Sequence, residues 1–382
     1  MFSHFSARRR QGQGTVCFPT TDPPSRAAAH FFSSGARDVG RCARWLGSVV
    51  GKPPLLGLCL ALSVSAHALD IQFRPDAGLA VNPDALAALE RAAAVWERIF
   101  DDPIVIKIDA NYFPLNGGAI ASTSSTLLFG DDFAEIRDAM VRDDAQEGGS
   151  IVQALPTFAQ LSATLPPGRT LFDNLIVSQA NLKALGFTGL EAVSGHDEDA
   201  TISFNGNFDF DNRDGVNPYR LDFETTAIHE IGHALGFISI VDAIDSTLTA
   251  EFPEVSLFPL DLFRFGRGAG ANPGTPEEFT SFPRELRPGR PAHFDDLVYE
   301  YEMATGANQG DGTQASHWKD FELTGEFIGI MNPTLNFGMS YGPTEADIRA
   351  LDAIGWHAIP EPALGVLPLL VMLGCARWKA AR

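Results

Sequence analysis

Leu221–Ile238 reads LDFETTAIHEIGHALGFI, and its reading decides how the rest of the chain is taken. Asp222 can cap a helix, Glu224 suits its first turn, and Gly236 suits the turn out of it. Within such a helix His229 and His233, four apart, share one face about one turn from each other, and Glu230 lies beside them. Two neutral imidazoles and a carboxylate that does not ligate are what a catalytic zinc requires: the histidines hold the ion and Glu230 takes a proton from water. The bland alternative is a pair of stacked core histidines, and placement in a capped, glycine-terminated helix weighs against it.

A catalytic zinc takes a third protein ligand and keeps a fourth position open. Ser239 stands six residues after His233, where a compact metzincin would carry its third histidine. The remaining candidates are His196, His293, His317 and His357, or a carboxylate at Glu251 or Glu254. Pro253 argues against the second helix on which a thermolysin-like glutamate would sit. His293, in RPAHFDD, reads as a surface or capping residue.

Upstream, Ile71-Gln72-Phe73 is a short extended piece and Asn82-Pro83 an N-cap with proline at the first helical position. Leu86, Leu89, Ala93, Trp96 and Phe100 recur at helical steps, and Ile104–Ile108 follows as a strand. Strand–helix–strand opens an α/β or α+β lobe. A second helix is expected around Phe133–Arg142. Ala200–Phe208 alternates at Ile202 and Phe204 and is polar enough to be expected at a sheet edge, where it would pair with an extended substrate. Phe258–Pro291, rich in Gly and Pro, predicts long loops in a looser second lobe. Asp209, Asp211 and Asp214 sit in a turn-rich stretch that could hold Ca²⁺, although its spacing departs from the usual calcium loop.

The 382 residues carry a net charge of −20. With 17 basic against 45 acidic groups, residues 69–360 carry −28, which excludes wrapping of a nucleic acid. The ends differ from this body. Arg41, Arg44 and Lys52 precede the apolar run PPLLGLCLALSVSAHA (53–68), a secretory signal with cleavage expected after Ala68. Pro360-Glu361-Pro362, then ALGVLPLLVMLGCA (363–376), then a basic end form a tail. As a helix the apolar run would span roughly 21 Å, short of a ~30 Å hydrocarbon layer. Cys17, Cys42, Cys59 and Cys375 all lie in these ends, so the body has no disulfide and is expected to be held by its core or by metal.

Three further stretches carry a resemblance. His317-Trp318 within TQASHWKD, Ile330-Met331-Asn332-Pro333, and a closing helix from Thr344 to Ile354 ending at Gly355-Trp356 follow the helix motif in order. Together, over 222–356, they resemble the leishmanolysin branch of the metzincins, and the wording is similar to an uncharacterised metalloprotease family with PEP-CTERM tails. The resemblance implies an α+β zincin. Its N-terminal lobe (69–236) would hold a twisted mixed sheet and the zinc helix. Its irregular C-terminal lobe (237–358) would hold His317 as third ligand, Met331 as a floor beneath the metal, and the closing helix. It implies one catalytic Zn²⁺ and a peptide or protein substrate, with Tyr341 either a donor to the intermediate or a packing residue. The body departs in having neither disulfides nor a cysteine-bearing pro-segment, and in the separation of 84 residues from His233 to His317.

The tail, 359–382, resembles the PEP-CTERM sorting signal of Gram-negative bacteria, which implies export, an exosortase-type partner, and membrane contact only through the terminal segments. The expected function is therefore a secreted zinc endopeptidase, extracellular or surface-associated. The alternatives are an exported surface or matrix-binding protein with a structural zinc, and a zinc hydrolase of a non-peptide amide.

Overall fold

The computed structural model describes residues 68–213, 215–247 and 253–359, together with the backbone of 2–8. The signal sequence, the tail and all four cysteines lie outside the described residues, as do Asp214 and Glu251. Among the described residues no helix is long and apolar enough to cross a membrane.

The class is α+β, with mixed sheets. The largest is built from β1 (Phe2–Arg8), β2 (Asp70–Pro75), β3 (Val105–Phe113), β4 (Ala119–Ser125) and β5 (Ala200–Asn205), and is completed by a later strand, Thr334–Asn336. Its order is Thr334–Asn336, β1, β4, β5, β3, β2. β5, β3 and β2 run parallel, whereas β4 is antiparallel to β5 and β1 antiparallel to β4. In β3 the alternation of Ile106, Ile108 and Ala110 buries one face.

Ala200–Asn205 is thus an interior strand, not the expected edge. Its alternation is real, since Ile202 and Phe204 are wholly buried while Thr201 and Ser203 are partly open. Alternation reports which face meets the core; it says nothing of what pairs in the plane of the sheet. Ile202 and Phe204 therefore belong to the core and are withdrawn as substrate-contacting residues.

Two helices pack against each other and the sheet: α1 (Pro83–Glu97) and α2 (Phe223–Ala234). Asn82 caps α1 by accepting from the Ala85 amide (3.3 Å), and Pro83 occupies its first position, where an N–H would have no helical partner. Ala85, Ala88, Leu89, Ala92, Ala93 and Trp96 form its buried stripe. Trp96 stacks on Phe100 (5.8 Å between centroids) and donates its indole N–H to the Ile228 carbonyl of α2 (3.0 Å). Burial of such an indole is worth roughly 3–5 kcal/mol. A further helix over Phe133–Glu147 extends the one expected near 133–142.

The Gly/Pro-rich region is more regular than its composition predicts. It holds short strands at 264–266 and 284–285, which join 292–295, 300–303 and 163–164 in a five-stranded sheet. Strands this short lack the length to show alternation. Two buried arginines hold them together by donating to main-chain carbonyls: Arg264 to Ala304 (2.7 Å) and Glu285 (3.2 Å), Arg284 to Leu262 (2.8 Å) and Phe279 (2.7 Å). Arg284 also lies over the Phe265 ring at 4.4 Å. Strand 254–257 pairs with 170–178, and 284–285 with 163–164, so sheets cross the expected boundary at 236.

Candidate metal centre

α2 begins as its sequence dictates. The Asp222 carboxylate accepts from the Thr225 amide at 2.6 Å, and Gly236 leaves the helix at φ 116°, a left-handed value that side chains resist. Gly232 has a second constraint, because a Cβ there would lie 2.4 Å from Met331 Sδ. Met331 is therefore packed against the turn between the two histidines, and it is wholly buried.

His317 arrives from far along the chain. Its carbonyl accepts from the Ala304 amide (3.0 Å), and the next residue, Trp318, donates its amide to Met331 (3.0 Å). The preceding turn is held by Asp242, which accepts from the Ala315 amide, the Ser316 amide (3.1 Å) and the Ser316 hydroxyl. Ser239 also has work here: its amide donates to Ser316 Oγ (2.8 Å) and its hydroxyl to Asp261 (2.7 Å). Desolvation pushes the Asp242 carboxyl up to about 6, opposed by these hydrogen bonds.

The three rings converge. Nε2 of His233 lies 3.1 Å from that of His229 and 3.2 Å from that of His317, and the remaining pair is 3.3 Å apart. Each Nδ1 faces a main-chain carbonyl: Ile330 for His229 (2.7 Å), Phe237 for His233 (2.8 Å), Gln314 for His317 (3.1 Å). A carbonyl can only accept, so each Nδ1 carries the proton and each Nε2 turns its lone pair to the shared point. Three lone pairs in contact suit a cation between them. Tetrahedral coordination at about 2.0–2.1 Å separates donor atoms by about 3.3–3.4 Å, close to the observed triangle. Burial, then the neighbouring His233 and His317, hold His229 well below its ordinary pKa, which keeps it in the neutral, ligating form.

Glu230 completes the group. Its Oε2 accepts from the Thr123 hydroxyl of β4 (2.6 Å), while Oε1 is buried without a hydrogen-bond partner. Desolvation pushes this carboxyl up to about 8, against a lowering contribution from Thr123. A cation among the imidazoles would pull it back down. The donor set, three imidazoles and no thiolate, suits a borderline ion and does not suit Mg²⁺ or Ca²⁺. His229, His233 and His317 are one of two groups among the described residues able to hold a metal ion.

Sequence reasoning missed Asp347. Thr344 and Asp347 form the capping box of the closing helix, Glu345–Asp352. The buried carboxylate also accepts from Trp318 Nε1 (2.8 Å) and from the amides of Ile330 (2.8 Å), Met331 (3.1 Å) and Thr344 (2.7 Å). It ties His317-Trp318, the turn at Met331 and the closing helix into one unit, and reaches His229 through Ile330.

The other candidate ligands lie elsewhere. His196 is exposed and bonded to Glu198 (2.6 Å), His357 pairs with Asp143 (3.0 Å), and Glu254 is exposed on its strand. His293 is no surface residue; it is wholly buried on strand 292–295. The Tyr341 ring stacks on Phe327 at 4.2 Å, and its main chain exchanges hydrogen bonds with Thr225 of α2. In the acidic turn Asp209 pairs with Arg220 (3.2 Å) and Asp211 accepts from the amide of Asn217 (2.9 Å), so these two carboxylates are engaged without calcium. Comparison of the chain with protein-family models, with curated proteins and with solved structures returned no match in any of the three.

Proposed function

We propose that the body of this chain is an exported zinc-dependent endopeptidase. The observation that carries the reading is the convergence of His229, His233 and His317 through Nε2, with Glu230 beside them and its Oε1 unpartnered. When bound, Zn²⁺ supplies Lewis acidity, polarising a peptide carbonyl and acidifying water to a pKa of about 7. The protein's own groups do the rest. The Nδ1–carbonyl bonds fix the imidazoles, Thr123 holds Oε2 of Glu230, and Oε1 takes the proton from water and delivers it to the leaving amine.

A second feature supports a peptide substrate. β1 lies between β4, to which it is antiparallel, and strand 334–336 beyond the methionine turn, to which it is parallel. An extended backbone therefore fits between these strands, and a substrate would add to the edge of β4 rather than that of β5. Cleavage after Ala68 would remove β1 and clear that place. The terminal segments fit export, sorting by an exosortase-type enzyme, and a destination outside a Gram-negative cell.

One observation favours the structural-zinc alternative: His229, Glu230, His233 and His317 are at most 1% exposed. Cleavage of casein by the body, compared with Glu230→Gln, separates the two. Loss of general acid–base catalysis lowers the rate by about 10²–10⁴-fold with zinc retained. Undiminished turnover at full zinc occupancy would refute Glu230 as the base, and no turnover in the parent would leave the structural reading.

A further inference from the structure

The second group able to hold a metal lies outside the three-histidine centre. His293 and Asp295 are two apart on strand 292–295 and so face the same side. Asp295 stands directly opposite Glu300 on strand 300–303, which places two carboxylates across one antiparallel pair. Like charges in that position repel. Among the described residues no Lys or Arg reaches either; Arg267 and Lys319 pair with Glu302, and Arg349 pairs with Asp296.

Asn272 closes the fourth side from the glycine-rich loop. Its Oδ1 accepts from His293 Nε2 at 2.5 Å, and its Nδ2 donates to Glu300 Oε1 at 2.8 Å. Asp295 Oδ2, on a side chain buried to all but 2%, lies 3.4 Å from His293 Nε2 and has no hydrogen-bond partner; nor has His293 Nδ1. Asp295 Oδ1 is already used by the Leu297 amide (2.7 Å). Donor atoms of His293, Asp295 and Glu300 lie within 4.8 Å of one another. A buried carboxylate oxygen beside a second carboxylate is unfavourable unless a cation meets it.

We propose that His293, Asp295 and Glu300 form a second site, for a divalent cation of the zinc–manganese class, the Nε2 proton of His293 moving to its unpartnered Nδ1 as the ion replaces Asn272. One imidazole with two carboxylates suits such an ion better than a thiolate-seeking or an all-oxygen one. The site has a structural consequence. Strand 300–303 continues into Ala304, whose amide holds the His317 carbonyl, and the Lys319 amide donates to Glu302 (2.8 Å). An ion clamping the 292–303 ribbon would steady the segment that delivers the third histidine.

The test uses the full chain, stripped by chelator and dialysed against Zn²⁺ alone or Mn²⁺ alone, with bound metal counted by elemental analysis. Wild type takes up two equivalents of zinc. Glu300→Gln, an exposed position where folding is not at stake, weakens one equivalent at least about tenfold. It also removes about 5 °C of the metal-induced rise in Tm. Asp295→Asn does the same, while His229→Ala removes the other equivalent and leaves this one. If Mn²⁺ binds, it is lost in Glu300→Gln; if only zinc binds and shows that loss, zinc is the occupant. Metal content and Tm response unchanged by Glu300→Gln in both arms overturn the proposal, whatever becomes of the three-histidine centre.

Discussion

The two halves of the candidate metal centre are held by different means. His229 and His233 sit on one helix, four residues apart, and their geometry follows from helical pitch, a cap at Asp222 and a glycine exit. His317 has no regular element beneath it. It is positioned by buried carboxylates, Asp242 and Asp347, that gather main-chain amides from three directions. The first half is local and nearly autonomous; the second exists only in the folded molecule. The contrast also accounts for part of the body's acidity, since Asp242, Asp245, Asp261, Asp320 and Asp347 are buried acceptors rather than surface charge.

Substitutions can break or sharpen this contrast. Asp347→Ala leaves an indole N–H and several amides buried without an acceptor, and is expected to cost about 3–5 kcal/mol. Asp222→Ala removes a helix cap and costs about 1 kcal/mol. Urea denaturation measures both, and equal losses would mean that the helix depends on its surroundings as heavily as His317 does.

Asp102 sharpens the point, because it is a buried carboxylate with few donors. It accepts from the His357 amide (3.0 Å), and desolvation pushes it up to about 6 from 3.8. A folded-state value above the unfolded one means stability that is full below about pH 4 and lost as pH rises through about 6. Asp102→Asn keeps an acceptor without the charge. It should gain up to about 3 kcal/mol over wild type at pH 7.5, shrinking to nothing near pH 4. A gain independent of pH would show that charge burial is not the cause.

Gly232→Ala probes where the two halves meet. The new methyl must displace Met331, at an expected cost of about 1–3 kcal/mol. Met331→Ala in the same background should recover part of it. Thermal unfolding of the three variants reads this directly, and an additive double variant would separate Met331 from the helix.

Sequence made the local half legible. Asn82-Pro83 and Asp222 each act within four residues, and each caps the helix it was expected to cap. His317 came from a resemblance, and the structure brings it to the other two rings. What escaped was tertiary. Ala200–Asn205 alternates as an edge strand would, yet β3 and β4 flank it, because face polarity carries no information about in-plane neighbours. His293 looked like a surface residue beside Pro291 and Asp295, and only the pairing of its strand with 300–303 shows it buried. Arg264 and Arg284 organise a region whose glycines and prolines read as loop.

The central claim is tested most directly by zinc affinity in His317→Ala, measured against a competing chelator in the Glu300→Gln background so that one site is read. Loss of one of three ligands should weaken zinc at least about 100-fold, with the helix and the overall fold retained by circular dichroism. Unchanged affinity in a folded variant would mean that the imidazole at 317 does not hold the ion, and the convergence of the three rings would have no part in binding it.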